Sequence, residues 1–274
     1  MFVKYITAFS DKKESGNPAA IYIVDDFFST AKMQSISTKE NLSETAFVRK
    51  IADGKYHIRW FTPVSEAPIC IHATLAAAYA LYNDNYVDTK KGIIFTDGEQ
   101  LFDVWIKDGW VSLVFQNIPI IDYQDIATTK ELQLLKKILV KSTYNYIGKS
   151  ENILMVEFEN EEMVNDFIPD LELIKQLPFR ALLITSASKE YDFISRYFAP
   201  IVGIDEDPVC GSAHCRLIPY WAKKLNKNKM LAFQASSRGG VIKCENLKNK
   251  VVISGQAAIV SKNNIEKDDK LFMA

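Results

Sequence analysis

Two short segments of this chain read nearly alike. EAPICIHA at residues 66–73 and EDPVCGSA at residues 206–213 share Glu, Pro, Cys and Ala at matching positions, with Ile69 standing where Val209 stands. Each runs straight into a helical pattern, ATLAAAYALYND after the first and residues 212–225 after the second. A repeated unit would account for this, with chance matching of eight residues as the alternative, and it constrains the fold more than any other feature. Whatever encloses the first helix should have a counterpart around the second.

The flanking sequence is built from short alternating runs, VKYITAF, AAIYIV, TAFVRK, YHIRWF and GIIF, then LFDVWI and VSLVF joined by KDGW. Alternation predicts strands, and Asp108 with Gly109 predicts a tight hairpin turn between the last two. Residues 29–41 predict a helix with Ser29 or Thr30 as N-cap and Met33 and Ile36 on one face. The helix beginning near His72 is apolar around nearly its whole circumference, which predicts one surrounded by other structure. After Pro119 the chain turns more polar, and residues 122–150 read as linker plus one amphipathic helix, ELQLLKKILV. Strand LMVEF follows, then helical candidates over 161–176, strands ALLIT and YDFISRYF, the helix over 212–225, and strands MLAFQ, GGVIKC, KVVISG and QAAIVS. The expected division is a domain over 1–120 and a second over 121–274, with the last strand able to pack back on the first domain.

Composition narrows the function classes. At 274 residues and 48% hydrophobic, the chain can bury a sizeable core, and 33 Lys plus Arg against 34 Asp plus Glu leave a net charge of −1. No bulk field recommends nucleic acid or an anionic membrane, so a small neutral or acidic ligand is the expected partner. The longest apolar run, residues 73–82, is about half of a membrane span, and the N-terminus MFVKYITAFSD lacks the pattern of a signal peptide, so a cytoplasmic location is expected. Four cysteines in a chain of this length are too few for a disulfide framework.

The repeat places a cysteine before each of two helix N-termini, and free amides there suit a carboxylate or an enolate-like intermediate. Gly211 permits close backbone approach, and Ser212 offers a hydroxyl or an N-cap. Cys70 and Cys210, facing one another across a substrate carbon, would serve a cofactor-independent racemase; as buried small hydrophobes they would serve only packing, the role expected for Cys215 and Cys244. Cys70, His72, Cys210, His214 and Cys215 also offer zinc ligands, but adjacent His214 and Cys215 at a helix start point apart and no CxxC pair exists. His72 and Asp207 flank the expected cleft and can position substrate; a structural histidine and a helix-dipole partner are the alternatives. Glu44, in ENLSETAFV between the first helix and a strand, is an ordinary glutamate on sequence grounds alone.

Taken together, GNPAA (16–20), ENLSETAFV (40–48), IRWFTP (58–63), CIHATLA (70–76), EDPVCGSAHC (206–215) and QASSRGG (234–240) resemble the phenazine-biosynthesis PhzF-like family, which belongs with the diaminopimelate epimerase fold. The resemblance spans nearly the whole chain. It implies an α+β fold of two pseudo-symmetric domains, each a curved, barrel-like, mostly antiparallel sheet around a central helix, with the active site in the cleft between them. It also implies a homodimer and the use of no metal or organic cofactor, which disfavours the zinc reading. By match of motif, Glu44 would be the general acid/base that moves a proton within a dihydro-hydroxyanthranilate-like ring. His72 and Asp207 would support it, Ile71 and Ala73 would line the substrate site, and Gly211 and Ser212 would hold the substrate carboxylate. One departure stands out: the family pattern CGHAT reads CIHAT here, so Ile71 replaces a glycine, restricting φ and adding bulk. Three readings follow: a PhzF-like isomerase of a small cyclic or unsaturated carboxylate, a Cys70/Cys210 racemase or epimerase, and a non-catalytic binding protein on this fold.

Overall fold

The structure, a computed structural model, describes residues 2–88, 90–140 and 142–261. In chain order the first elements are β1 (Phe2–Ala8), β2 (Asn17–Val24), α1 (Thr30–Glu40), β3 (Glu44–Ala52), β4 (Lys55–Phe61), β5 (Glu66–Ala67), α2 (Ile71–Asn83), β6 (Ile93–Thr96), β7 (Leu101–Lys107) and β8 (Trp110–Gln116). There follow β9 (Ile121–Asp122), α3 (Thr129–Ile138), β10 (Tyr144–Ser150), β11 (Ile153–Phe158), α4 (Glu161–Asn165), α5 (Leu171–Ile174), β12 (Ala181–Ala187) and β13 (Phe193–Phe198). The last elements among the described residues are α6 (Gly211–Leu225), β14 (Lys229–Gln234), β15 (Gly240–Leu247), β16 (Lys250–Gly255) and β17 (Ala257–Val260). Two compact units result, Gln116–Val251 and the residues on either side of it.

In the first unit β1 pairs antiparallel with β2, β2 parallel with β3, β3 antiparallel with β4, β4 parallel with β6, and β6 antiparallel with β7. The β7–β8 hairpin turns on Asp108 (φ 51°) and Gly109 (φ 76°), both left-handed as a tight two-residue turn needs. β8 in turn pairs with β16, and β16 leads past Gln256 into β17, which lies antiparallel beside β1. The strand order thereby returns to its start, with α2 enclosed. Only Tyr79 and Asn83 of α2 escape full burial, so the all-round apolar pattern has the enclosing sheet it predicts.

The second unit repeats the scheme. β10 pairs antiparallel with β11, β11 parallel with β12, β12 antiparallel with β13, β13 parallel with β14, and β14 antiparallel with β15. Each parallel pair is bridged by helix in both units: α1 and α2 in the first, α4 with α5 and then α6 in the second. The sequence echo is thus a structural duplication, and it reaches further than residues 66–73 and 206–213. RWFTP at residues 59–63 matches RYFAP at residues 196–200 on the equivalent strands β4 and β13. The repeated glutamate has its reason here: Arg59 clasps Glu66 through two contacts of 2.7 Å, and Arg196 clasps Glu206 at 2.7 and 2.9 Å.

Local differences from the sequence reading have physical causes. YNYIGKS, expected within a linker, is strand β10, its polar alternation marking a half-exposed strand rather than a loop. The helix expected from Ser212 begins at Gly211 with Cys210 as N-cap, so Ser212 sits inside the first turn. Residues from Val252 to Val260 complete the first unit rather than the second, because β17 finds its partner in β1. Pro219 inside α6 deprives the Cys215 carbonyl of its helical donor, and the Ile118 amide supplies one at 3.0 Å.

Candidate functional site

Unit one assembles its site at three chain turns. Gly16, at φ 75°, delivers Asn17 to the start of β2 with no solvent exposure. Asn41 closes α1 in the left-handed conformation at φ 51°, and three residues later Glu44 opens β3, in parallel register with Ala19. Cys70 is the N-cap of α2 in extended backbone, and the Thr74 hydroxyl donates to its carbonyl at 2.6 Å, fixing the helix start that carries His72.

These residues meet in one hydrogen-bonded group. His72 Nε2 lies 3.3 Å from Glu44 Oε2, and His72 Nδ1 lies 3.3 Å from Asn17 Nδ2 and 3.4 Å from Cys70 Sγ. The Ser43 hydroxyl donates to Asn17 Oδ1 at 2.9 Å. Complete burial drives the His72 pKa down to about 3; the adjacent carboxylate acts the other way, and burial outweighs it. At neutral pH the ring is therefore uncharged, while Glu44, with its side chain 15% exposed, keeps an edge open to a ligand.

Ile71 occupies the first position of α2 with its side chain 3% exposed, and its backbone is not among those with positive φ. The glycine of the related pattern is not demanded by backbone conformation, so the isoleucine sits there without strain. Ala73 is fully buried on the next position but one.

The second unit brings together the other expected residues. The Val209 amide donates to Asp207 Oδ1 at 3.2 Å, and the Asp207 amide donates to the Tyr197 carbonyl at 2.9 Å. Gln234, buried at the end of β14, braces the turn from both sides: its amide donates to the Asp207 carbonyl at 2.6 Å and its Oε1 accepts from the Cys210 amide at 2.8 Å. Ser236 adds a 2.7 Å bond to the Pro208 carbonyl. Asp207, Cys210, Gly211 and Ser212 are thus presented by one braced turn at the N-terminus of α6, where the positive end of the helix dipole favours an anion. Ser212 stays partly exposed, with its hydroxyl 3.3 Å from Cys210 Sγ.

Burial and the Asp207 carboxylate push the Cys210 thiol well above its usual range. All four cysteines are buried thiols outside any disulfide. Iodoacetamide at pH 7.5 is expected to leave the folded protein essentially unlabelled over minutes while labelling it fully in urea; rapid native labelling at Cys210 would contradict this environment. His214 donates from Nδ1 to the Cys210 carbonyl at 2.9 Å, and burial lowers its pKa to about 4. Both depressed histidines bind a proton on unfolding, so stability is complete above the ordinary histidine value of about 6.5 and falls as pH drops toward 4. Each contributes a slope of about 1.4 kcal/mol per pH unit in that window. Urea midpoints measured from pH 7 to pH 5 should fall accordingly, and a flat profile would refute it.

Among the described residues, Glu44, Cys70 and His72 have potential metal-ligand atoms within 4.8 Å of one another, whereas Cys210, His214 and Cys215 form no such group. The five-residue zinc set of the sequence is therefore not assembled. Asn17, Ser43 and Gln234 were not singled out by sequence, although each lies inside a motif already quoted, GNPAA, ENLSETAFV or QASSRGG.

Residues 6–263 match the family described as phenazine biosynthesis-like protein. An uncharacterized isomerase of Pseudomonas aeruginosa is 39% identical, covering 95% of this chain and 96% of its own length. The crystal structure of a PhzF family protein from Enterococcus faecalis superposes with a TM-score of 0.87 at 36% identity, covering 94% of this chain and 96% of that one. A Pseudomonas aeruginosa protein named as a predicted epimerase shares the fold at a TM-score of 0.74 and 14% identity, covering 94% and 96%.

Proposed function

The chain belongs to the phenazine biosynthesis-like PhzC-PhzF family, and from that premise we propose that it is a cofactor-independent isomerase in which Glu44 moves a proton on a small cyclic or unsaturated carboxylate. The fold is that of isomerases and epimerases. The observation carrying the reading is the Glu44–His72 pair: a carboxylate with one edge exposed, bonded to a ring that burial keeps neutral. Such a carboxylate can take a proton from carbon at one position and return it at another, while the imidazole steadies it without a competing positive charge.

In this reading the amides at the α6 N-terminus, with Gly211 and Ser212, bind the substrate carboxylate, and Asp207 assists proton movement. Ile71 and Ala73 shape the substrate site beside His72. The working assembly is a homodimer. A second reading, a Cys70/Cys210 racemase, draws support from the equivalent N-cap positions of the two cysteines. The elevated Cys210 thiol weighs against it, because the base in that chemistry must be a thiolate.

Proton NMR in deuterated water tests both. Incubation with dihydro-hydroxyanthranilate is expected to give isomerisation and solvent exchange on the ring that persist in the Cys70→Ala/Cys210→Ala variant. Exchange at the α-carbon of an amino acid such as proline or diaminopimelate, abolished in that variant, would replace the glutamate reading with the two-thiol one.

A further inference from the structure

Glu44 and Asn17 face the two ring nitrogens of His72, and their chemistry bears on where its proton resides. An amide has one donating and one accepting end, and an uncharged imidazole has one nitrogen of each kind. Asn17 turns its amide nitrogen to His72 Nδ1 at 3.3 Å and its Oδ1 to the Ser43 hydroxyl at 2.9 Å, a group that can serve either end of an amide. The amide nitrogen only donates, so Nδ1 is the acceptor. The Cys70 sulfur, 3.4 Å from the same ring nitrogen, fits either tautomer, since a thiol both donates and accepts. The ring proton is then on Nε2, aimed at Glu44 Oε2 at 3.3 Å. With the amide reversed, Nδ1 would carry the proton, and the Nε2 lone pair would face the lone pairs of the Glu44 carboxylate, a repulsive contact in a buried site.

We propose that Asn17 is a positioning residue that helps hold His72 as its Nε2–H tautomer and so keeps a hydrogen-bond donor on the Glu44 carboxylate. The inference rests on the reading of Glu44 as the acid/base. The arrangement extends the reacting group inward through Asn17, whose amide has no exposure and whose position depends on Gly16. Second-layer partners of this kind select the tautomer and orientation of a working imidazole.

The test is a long-range 1H–15N spectrum of the full chain labelled at histidine, at neutral pH. The chain has three histidines, His57, His72 and His214, and His72→Gln assigns the signal of interest. The expected native pattern is an unprotonated Nδ1 and protonated Nε2 for His72, opposite to His214, whose Nδ1 donates to the Cys210 carbonyl. Asn17→Asp keeps the size but offers only acceptors, and is expected to bring a proton onto Nδ1. A native His72 protonated on Nδ1 overturns the proposal even if Asn17→Asp fails to fold, and so does an unchanged pattern in a folded Asn17→Asp. The spectrum needs no substrate, so its outcome is separate from whether Glu44→Gln loses turnover.

Discussion

Glu44→Gln is expected to lower isomerisation and the accompanying solvent exchange by roughly 10²–10⁴-fold, the range that a positioned general acid/base contributes. The amide is the same size and can still accept from His72 Nε2 through its oxygen, so the geometry at 3.3 Å survives while the ability to take a proton from carbon is lost. The loss should fall on kcat, because a group acting on the reacting proton is used in the transition state rather than in binding. The thermal midpoint should change little, since Glu44 retains an exposed edge and carries none of the apolar core. A variant that keeps its turnover within about threefold would remove Glu44 from the chemistry.

Gly16→Ala should be the most damaging single methyl in the first unit. A Cβ at this position would lie 2.3 Å from the Ala8 carbonyl oxygen and 2.8 Å from the Thr7 hydroxyl, on a backbone at φ 75°. The left-handed conformation costs an alanine about 1 kcal/mol, and forcing β1 away from the turn adds about 1–3 kcal/mol. The Thr7 hydroxyl also donates to the Ser15 carbonyl at 2.5 Å, so the clash falls on a bond that holds the turn together. A total of about 2–4 kcal/mol corresponds to a fall in melting temperature of roughly 5–15 °C for a chain of this size. Calorimetry reading a shift below about 2 °C would show that the turn can yield. Activity should fall as well, because Asn17 follows directly and its amide reaches His72.

Much of the architecture is visible in one dimension because it is local. Ser29 does cap α1, with its hydroxyl accepting from the Lys32 amide, and Asp108–Gly109 does turn the β7–β8 hairpin. The two cysteines before α2 and α6 mark helix starts that the repeat predicts from sequence. The Arg59–Glu66 and Arg196–Glu206 clasps explain why glutamate recurs in the echo, yet finding them requires knowing that β4 and β13 are equivalent strands. Glu44 is legible only by resemblance; its His72 partner lies on a different element, and nothing in the intervening sequence sets their distance. Asn17 is less legible still, since it meets Ser43 and His72 across separations of 26 and 55 residues. Gln234 is a polar residue ending a strand, and its bracing of the 207–210 turn depends on how β14 is placed beside β13. Pairing patterns of period two fix which face a residue takes, not which distant loop it reaches.

The return of β16 and β17 to the first unit has a consequence for the chain during synthesis. Without β17, one side of β1 is an open strand edge, and without β16 so is β8. Residues 116–247 leave the ribosome before those last strands do, and β10 through β15 pair in series among themselves. The half that is translated first therefore finishes folding last, its ring of strands held open until the final segment emerges. An N-terminal fragment ending after β8 is consequently a natural aggregation hazard.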